Sequence, residues 1–161
     1  GNASHGSYGA VGNGSGKRGR MNLTVTKASE SDIPVIFEQA KSLIDAYEDR
    51  NAIDYDKVLA WVKRKIEIKL SEYQCALWNG EKCAFWRICD DGELDDLYVL
   101  PGFRNQGIGS EILRKIIEET EKTLWLYVFS RNVRAIAFYE RHGFSCNRIV
   151  GPTRLIMERK G

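Results

Sequence analysis

Between Val99 and Ser110 the chain passes from a β-like apolar run through Pro101-Gly102-Phe103-Arg104-Asn105-Gln106 into Gly107-Ile108-Gly109-Ser110, a set of residue types suited to holding an anion. Beyond Gly109 the apolar residues Ile112, Leu113, Ile116 and Ile117 recur at helical spacing. A helix is therefore predicted over 106–121, its first turn near Gln106 to Gly109 and its free N–H groups directed back at the turn. Such a terminus carries roughly half a positive charge and suits a phosphate or pyrophosphate. Gly107 and Gly109 allow the turn and let the backbone approach phosphate oxygens with no side chain between. Taken alone, the run also fits an ordinary strand-to-helix connection.

A second run distinguishes the two. Asn132-Val133-Arg134-Ala135-Ile136-Ala137-Phe138-Tyr139-Glu140-Arg141-His142-Gly143-Phe144 follows the strand-like Leu124 to Phe129. The first run, as Arg104-x-x-Gly107-Ile108-Gly109 preceded by Val99-Leu100-Pro101, resembles the acetyl-CoA signature of the GNAT superfamily of N-acetyltransferases. The second resembles that family's later block at Asn132, Ala135, Phe138, Tyr139, Gly143 and Phe144, so the likeness is sharp from Glu93 to Phe144.

This resemblance implies an α+β GNAT fold, a mixed and mostly antiparallel sheet of about six to seven strands flanked by about four helices. It implies direct transfer of the acetyl group of acetyl-CoA, a co-substrate, to a primary amine, with no cysteine nucleophile and no metal. By the same resemblance, backbone N–H groups from Asn105 to Ser110, including Gln106 and Ile108, grip the pyrophosphate, and Arg104 adds charge. Leu97, Tyr98 and Val99 border the gap between the fourth and fifth strands where the pantetheine lies, and the Val99 backbone pairs with it and polarises the thioester carbonyl. Asn132, Ala135, Phe138 and Tyr139 complete the cofactor side, Asn132 by fixing the pantetheine or capping the last helix. Glu93 stands where several members place a general base, and Tyr139 where a phenol protonates the departing thiolate. The strand phase Glu93, Asp95, Leu97, Val99 runs from acidic into apolar positions, which would desolvate Glu93 and raise its pKa. Asp95 and Asp96 are rival bases, and a solvated strand-end carboxylate is the plainer role for Glu93.

The elements that must position these groups are readable in order. A strand over 23–27 precedes two amphipathic helices within 31–70, the first opening at Ser31-Asp32-Ile33-Pro34 and the two joined by the polar Glu48 to Asp54. Strands over 73–78 and 82–89 flank Asn79-Gly80, a hairpin signal, and Asp90-Asp91-Gly92 turns into a strand over 93–100. A strand over 124–129, a helix over 132–142 and strands over 145–150 and 153–159 follow. With a two-residue hairpin loop, Cys75 would lie opposite Ala84 and Cys83 opposite Ala76, the two thiols on opposite faces. His142 near a helix end would suit the dipole as a cation.

With 161 residues and 43% hydrophobic content the chain can bury the core of one domain, which excludes a disordered or fibrous protein. Residues 1–20 carry Lys17, Arg18 and Arg20 and no acid, so the formal charge of +2 becomes −1 over residues 21–161. A nucleic-acid footprint is absent from that part. Residues 1–20 read as a flexible, expression-derived leader and 21–161 as the acetyltransferase domain, starting at Met21. No apolar stretch approaches the ~20 residues that cross a bilayer, and the four cysteines lack zinc or disulfide-framework spacing, so a cytoplasmic protein with reduced thiols is expected. The expected partner is a small-molecule or peptide amine, not a nucleic acid or a membrane, on a monomer or homodimer. Asp90, Asp91, Glu93, Asp95 and Asp96, with Asp45, Glu48, Asp49, Asp54 and Asp56, suggest an acidic mouth for a cationic amine. The alternative is an acyl-CoA-binding or sensor module without turnover.

Overall fold

Alternating apolar side chains build β1 (Leu23–Lys27), β2 (Tyr73–Trp78), β3 (Glu81–Ile88) and β4 (Leu94–Val99), which pair antiparallel in that order. This computed structural model describes residues 22–160, so the expectations for residues 1–20 and Met21 lie outside the described residues. A second antiparallel sheet contains β5 (Leu124–Phe129), β6 (Phe144–Val150) and β7 (Arg154–Arg159), ordered β5-β7-β6. The single sheet expected from the sequence is thus divided. Its halves meet at one parallel bridge, Glu93 to Trp125, beyond which β4 and β5 diverge. At this pinch the Trp125 N–H donates to Gly92 O (3.2 Å), and a Cβ on Gly92, whose φ is +93°, would fall 2.2 Å from Thr123 O. Only glycine brings the two strands this close.

Among the described residues four α-helices cover the sheets: α1 (Ile33–Tyr47), α2 (Tyr55–Ile68), α3 (Ile108–Glu119) and α4 (Val133–Arg141). The boundaries of α3 fall two residues inside the predicted 106–121, because Asn105 and Gly107 adopt left-handed φ values that no helical turn contains. Residues of α3 and α4, with Leu94, Leu124, Leu126 and Met157 of the strands, form one core. On the other side of the first sheet, Ile36 and Ala40 of α1 and Ile66 of α2 close over Tyr73, Cys75, Phe85 and Tyr98. Strand β3 is therefore buried on both faces, Ala84 and Trp86 toward α3 and Phe85 toward α1. No helix of the described residues is long and apolar enough to cross a membrane.

Two bulges change the expected registers. In the hairpin, Trp78 pairs with Glu81 and Leu77 with Lys82, but Ala76 pairs with Ala84 and Cys75 with Phe85, leaving Cys83 as the extra residue. The thiols of Cys75 and Cys83 still enter different cores, through the bulge rather than through the pairing predicted for a regular ladder. In β4, Leu94 pairs with Ile88 and Leu97 with Trp86, which sets Asp95 and Asp96 opposite the single residue Arg87, with Asp96 at a φ of 60°. Leu94, Leu97 and Val99 consequently share the α3 side, while Tyr98 joins the other core. The predicted phase Glu93, Asp95, Leu97, Val99 is broken: Asp95 reaches Lys65 of α2, and Leu97 faces the opposite way.

Candidate active site

Helices α2 and α4 begin under side-chain caps, with Asp54 accepting from the Lys57 N–H (3.3 Å) and Asn132 from the Ala135 N–H (3.2 Å). The cap of α3 is Gly107, at a φ of 84°, with no side-chain hydrogen bond to the first turn. Its N–H groups are left for another acceptor, as an anion site requires. They open onto a groove of about 710 Å³ between the splayed strands, bordered by Leu97, Tyr98, Val99, Arg104, Asn105, Gly107, Gly109, Ser110, Asn132, Ala135, Phe138 and Tyr139. Of the residues expected on the cofactor side, Gln106 and Ile108 are not in its wall. Gln106 is exposed at the turn, and the Ile108 side chain is fully buried in the core, which leaves its backbone as the part near the turn. Gly109 packs against α4 and β4: a Cβ there would lie 3.4 Å from Phe138 and 3.6 Å from Val99.

The Leu100 N–H donates to Cys83 O of β3 (2.9 Å), so alternation turns the N–H and C=O of Val99 to the other edge, into the gap. That carbonyl accepts from Arg104 Nε (2.9 Å), and Arg104 Nη2 donates to Gln39 Oε1 of α1 (3.2 Å). The arginine expected at the phosphates therefore ties the end of β4 to α1.

On the other side of Asp96 and Tyr98 lies a second pocket of about 480 Å³ between α1, α2 and β5; Leu43, Asp96 and Tyr98 border both spaces. The three candidate bases differ here. Asp95 accepts from Arg87 Nη2 (2.9 Å) and Lys65 Nζ (3.0 Å), a part-buried cluster of one acid and two bases that commits it to structure. Glu93 is half-buried, and its carboxyl is held above the usual range by burial, then by Asp95 and Asp91. Asp96 accepts from the Tyr98 hydroxyl (2.8 Å), and burial, with the nearby Asp95 charge, pushes its pKa up to about 6. Tyr139 is 7% exposed, packed between Phe138 and Phe144, and burial followed by the Asp96 charge holds its hydroxyl well above the ordinary phenol range.

Most of the expected acidic mouth is otherwise engaged. Asp45 accepts from Lys41 Nζ (2.8 Å) and the Tyr55 hydroxyl (2.6 Å), Asp49 from the Asn51 N–H (3.0 Å), and Glu48 from the Thr153 hydroxyl (2.5 Å), while Asp54 caps α2. The turn at 90–92 does bring donor atoms of Cys89, Asp91 and Glu93 within 4.8 Å of one another, a grouping that cysteine spacing alone does not reveal. Burial pushes the Cys89 thiol up to about 11, so it is protonated at neutral pH.

A sequence model of the acetyltransferase (GNAT) family matches residues 38–144. The chain belongs to this family. The ribosomal protein bS18-alanine N-acetyltransferase of Escherichia coli is 39% identical over 74 residues, 42% of this chain and 50% of that protein, so the match spans half the relative's length. An uncharacterized N-acetyltransferase of Mycobacterium tuberculosis is 34% identical over 61 residues, 35% of this chain and 39% of the relative. Among solved structures, the PaiA N-acetyltransferase of Thermoplasma acidophilum in complex with coenzyme A superposes with a TM-score of 0.63 at 23% identity, covering 88% of this chain and 100% of that one. The Escherichia coli ribosomal-protein-S18-alanine N-acetyltransferase gives 0.56 at 24%, covering 85% and 92%. At these identities the structures establish the fold.

In this GNAT protein several groove residues escaped the sequence reading. Arg134 and Arg141, two turns apart on α4, both border the groove; Arg134 Nη2 donates to Asn105 Oδ1 (3.1 Å), and Arg141 lies 5.9 Å over the Phe138 ring. Their i, i+7 spacing was the available signal. Gln39, Ser42, Leu43 and Tyr47 approach from α1, a placement without a local signature. His142 stands at the C-terminal cap of α4 as expected, but it lies 3.1 Å from Ser110 Oγ, and burial followed by Arg114, Arg141 and Arg159 lowers its pKa and disfavours the cation.

Proposed function

We propose that this protein transfers the acetyl group of acetyl-CoA to a primary amine. The observation that carries this reading is that the two spaces adjoin at Asp96 and Tyr98, with an uncapped helix terminus on the far side of one and raised-pKa carboxylates where they meet. The N–H groups of Gly107 to Ser110 would offset the pyrophosphate charge, with Arg134 and Arg141 alongside. When bound, acetyl-CoA supplies an activated acyl carbon and a thiolate leaving group. The Val99 N–H, aimed into the gap, is suited to hold the pantetheine or the acyl oxygen.

Asp96 is the base we favour, because it borders both spaces and its pKa of about 6 leaves it ionised yet basic near neutral pH. Glu93 borders the second pocket alone, where its charge aids capture of the ammonium. As the amine nitrogen bonds to the acyl carbon and the C–S bond breaks, the nitrogen loses two protons. One passes to Asp96 and on to solvent, directly or through water. The other replaces the proton that the Tyr139 hydroxyl gives to the sulfur. Burial keeps the Tyr139 phenol protonated, so the proton is present when the C–S bond breaks, although as a weaker acid than a free phenol.

The relative whose name specifies an alanine of a ribosomal protein supports peptide amines among the acceptors. Calorimetry with acetyl-CoA, followed by thiol release in the presence of an amine panel, tests the reading. Tight binding with amine-dependent release is expected, whereas binding with release indifferent to every amine would favour the sensor module.

A further inference from the structure

The wall of the second pocket is mainly hydrocarbon and aromatic: Leu43 and Ile44 come from α1, Val58 and Trp61 from α2, and Tyr127 and Phe129 from β5. Trp61 leaves 61% of its surface in solvent and Tyr127 37%, although both border a concavity. Exposed aromatics on the rim of an apolar pocket mark a surface that a ligand covers. The charged groups of the same wall differ in availability. Asp95 is neutralised by Arg87 and Lys65, whereas Glu48, Glu93 and Asp96 have no ion-pair partner among the described residues; Glu93 and Asp96, three positions apart in the chain, are the two that would meet an ammonium together. Arg154 stacks 5.0 Å over the Tyr127 ring, and among the described residues no carboxylate lies within 4.0 Å of it. Its guanidinium donors suit a carboxylate or carbonyl oxygen.

Building on the acetyltransferase reading above, we infer that the acceptor is a primary amine joined to one bulky apolar group and a neighbouring carbonyl or carboxylate oxygen, that is, a hydrophobic amino acid, free or at the start of a peptide. The amine meets Glu93 and Asp96, the apolar group enters between Trp61 and Tyr127, and the oxygen meets Arg154. A polyamine is a poorer fit, because apart from Glu48 the wall beyond Glu93 and Asp96 offers a second ammonium mainly hydrocarbon, Lys65 and Arg154.

The test measures kcat/KM at saturating acetyl-CoA for phenylalanine amide, alanine amide, phenethylamine, spermidine, free phenylalanine and a tetrapeptide beginning with phenylalanine. Phenylalanine amide is expected to exceed alanine amide and spermidine by about 10-fold or more, the scale on which apolar pockets discriminate. Trp61→Ala, a change at an exposed helix position, is expected to reduce that preference to about threefold or less while acetyl-CoA affinity, followed by calorimetry, is kept. Arg154→Gln is expected to slow phenylalanine amide and spare phenethylamine. Whichever of free phenylalanine and the tetrapeptide is faster identifies the source of the shared chemistry. Spermidine or alanine amide equalling phenylalanine amide, or a preference undiminished by Trp61→Ala, would overturn the acceptor assignment and leave the acetyl-CoA reading standing. Failure to bind acetyl-CoA would overturn both.

Discussion

Asp96→Asn separates catalysis from stability in one residue. Asparagine tolerates the left-handed φ of 60° at this position, and its Oδ1 can still accept the Tyr98 hydroxyl, so the bulge is kept while the charge is removed. In the wild type, burial and the Asp95 charge raise the carboxyl from 3.8 to about 6. At about 1.4 kcal/mol per pKa unit this amounts to at most about 3 kcal/mol against the ionised form. The folded protein holds the proton more tightly than the unfolded chain does. The stability that this group contributes is therefore full below pH 3.8 and lost as pH rises through about 6. The asparagine variant never bears that cost. At pH 8 it should be more stable than the wild type by about 1–3 kcal/mol, or roughly 2–10 °C in Tm, and the difference should close toward pH 4. Its kcat/KM should fall by about 100- to 10,000-fold, and the acidic limb of the pH-rate profile, centred near 6 in the wild type, should disappear. Glu93→Gln should instead retain the limb and move it to lower pH, since the Glu93 charge helps to raise Asp96. Circular dichroism melts at pH 4 and 8, with thiol-release rates from pH 5 to 9, provide both readouts. An Asp96→Asn enzyme with wild-type rates and no gain in Tm at pH 8 would refute the assignment of the base and of its desolvation together.

Three further outcomes follow from the same geometry. Gly109→Asp should weaken acetyl-CoA binding by about 10-fold or more in calorimetry without loss of Tm, because an acid in the first turn suits α3 but repels a pyrophosphate. Tyr139→Phe should lower kcat by about 100-fold in steady-state assays while acetyl-CoA affinity changes little, since the ring packing against Phe138 and Phe144 is retained. Gly92→Ala should cost at least about 2 kcal/mol in urea unfolding, given a φ of +93° and a Cβ 2.2 Å from Thr123 O.

The turn at Arg104 to Gly109 was legible as a strand-to-helix turn because its signals are local: the glycines, the following helical period and the preceding strand lie within a few residues. The order of the seven strands and four α-helices of the described residues was legible for the same reason. What stayed hidden depends on distant partners or on a break in periodicity. Nothing near Asp95 reveals that Lys65, 30 residues away, and Arg87 claim it, and an unclaimed Asp95 looks equivalent to Asp96. Period-two reasoning assumes an unbroken ladder, so it assigned Leu97 to the face of Asp95; the tolerance of aspartate for a left-handed φ was the only local hint of the bulge. Arg104 resembled a phosphate ligand by its motif position, and only the approach of α1 shows its side chain engaged by Val99 and Gln39.

The extra residue in β4 makes chain length itself a functional quantity in this stretch. Leu94 and Leu97 are an odd number of positions apart yet face the same core. Deleting one residue between them would restore an ordinary ladder with β3 and carry either the acids or the Leu97-to-Val99 edge to the wrong side of the sheet. Substitutions at 95 and 96 alter chemistry, whereas an insertion or deletion there reverses orientation. The helix-to-helix connection between Tyr47 and Tyr55 carries no such parity and can lengthen or shorten without reversing a strand.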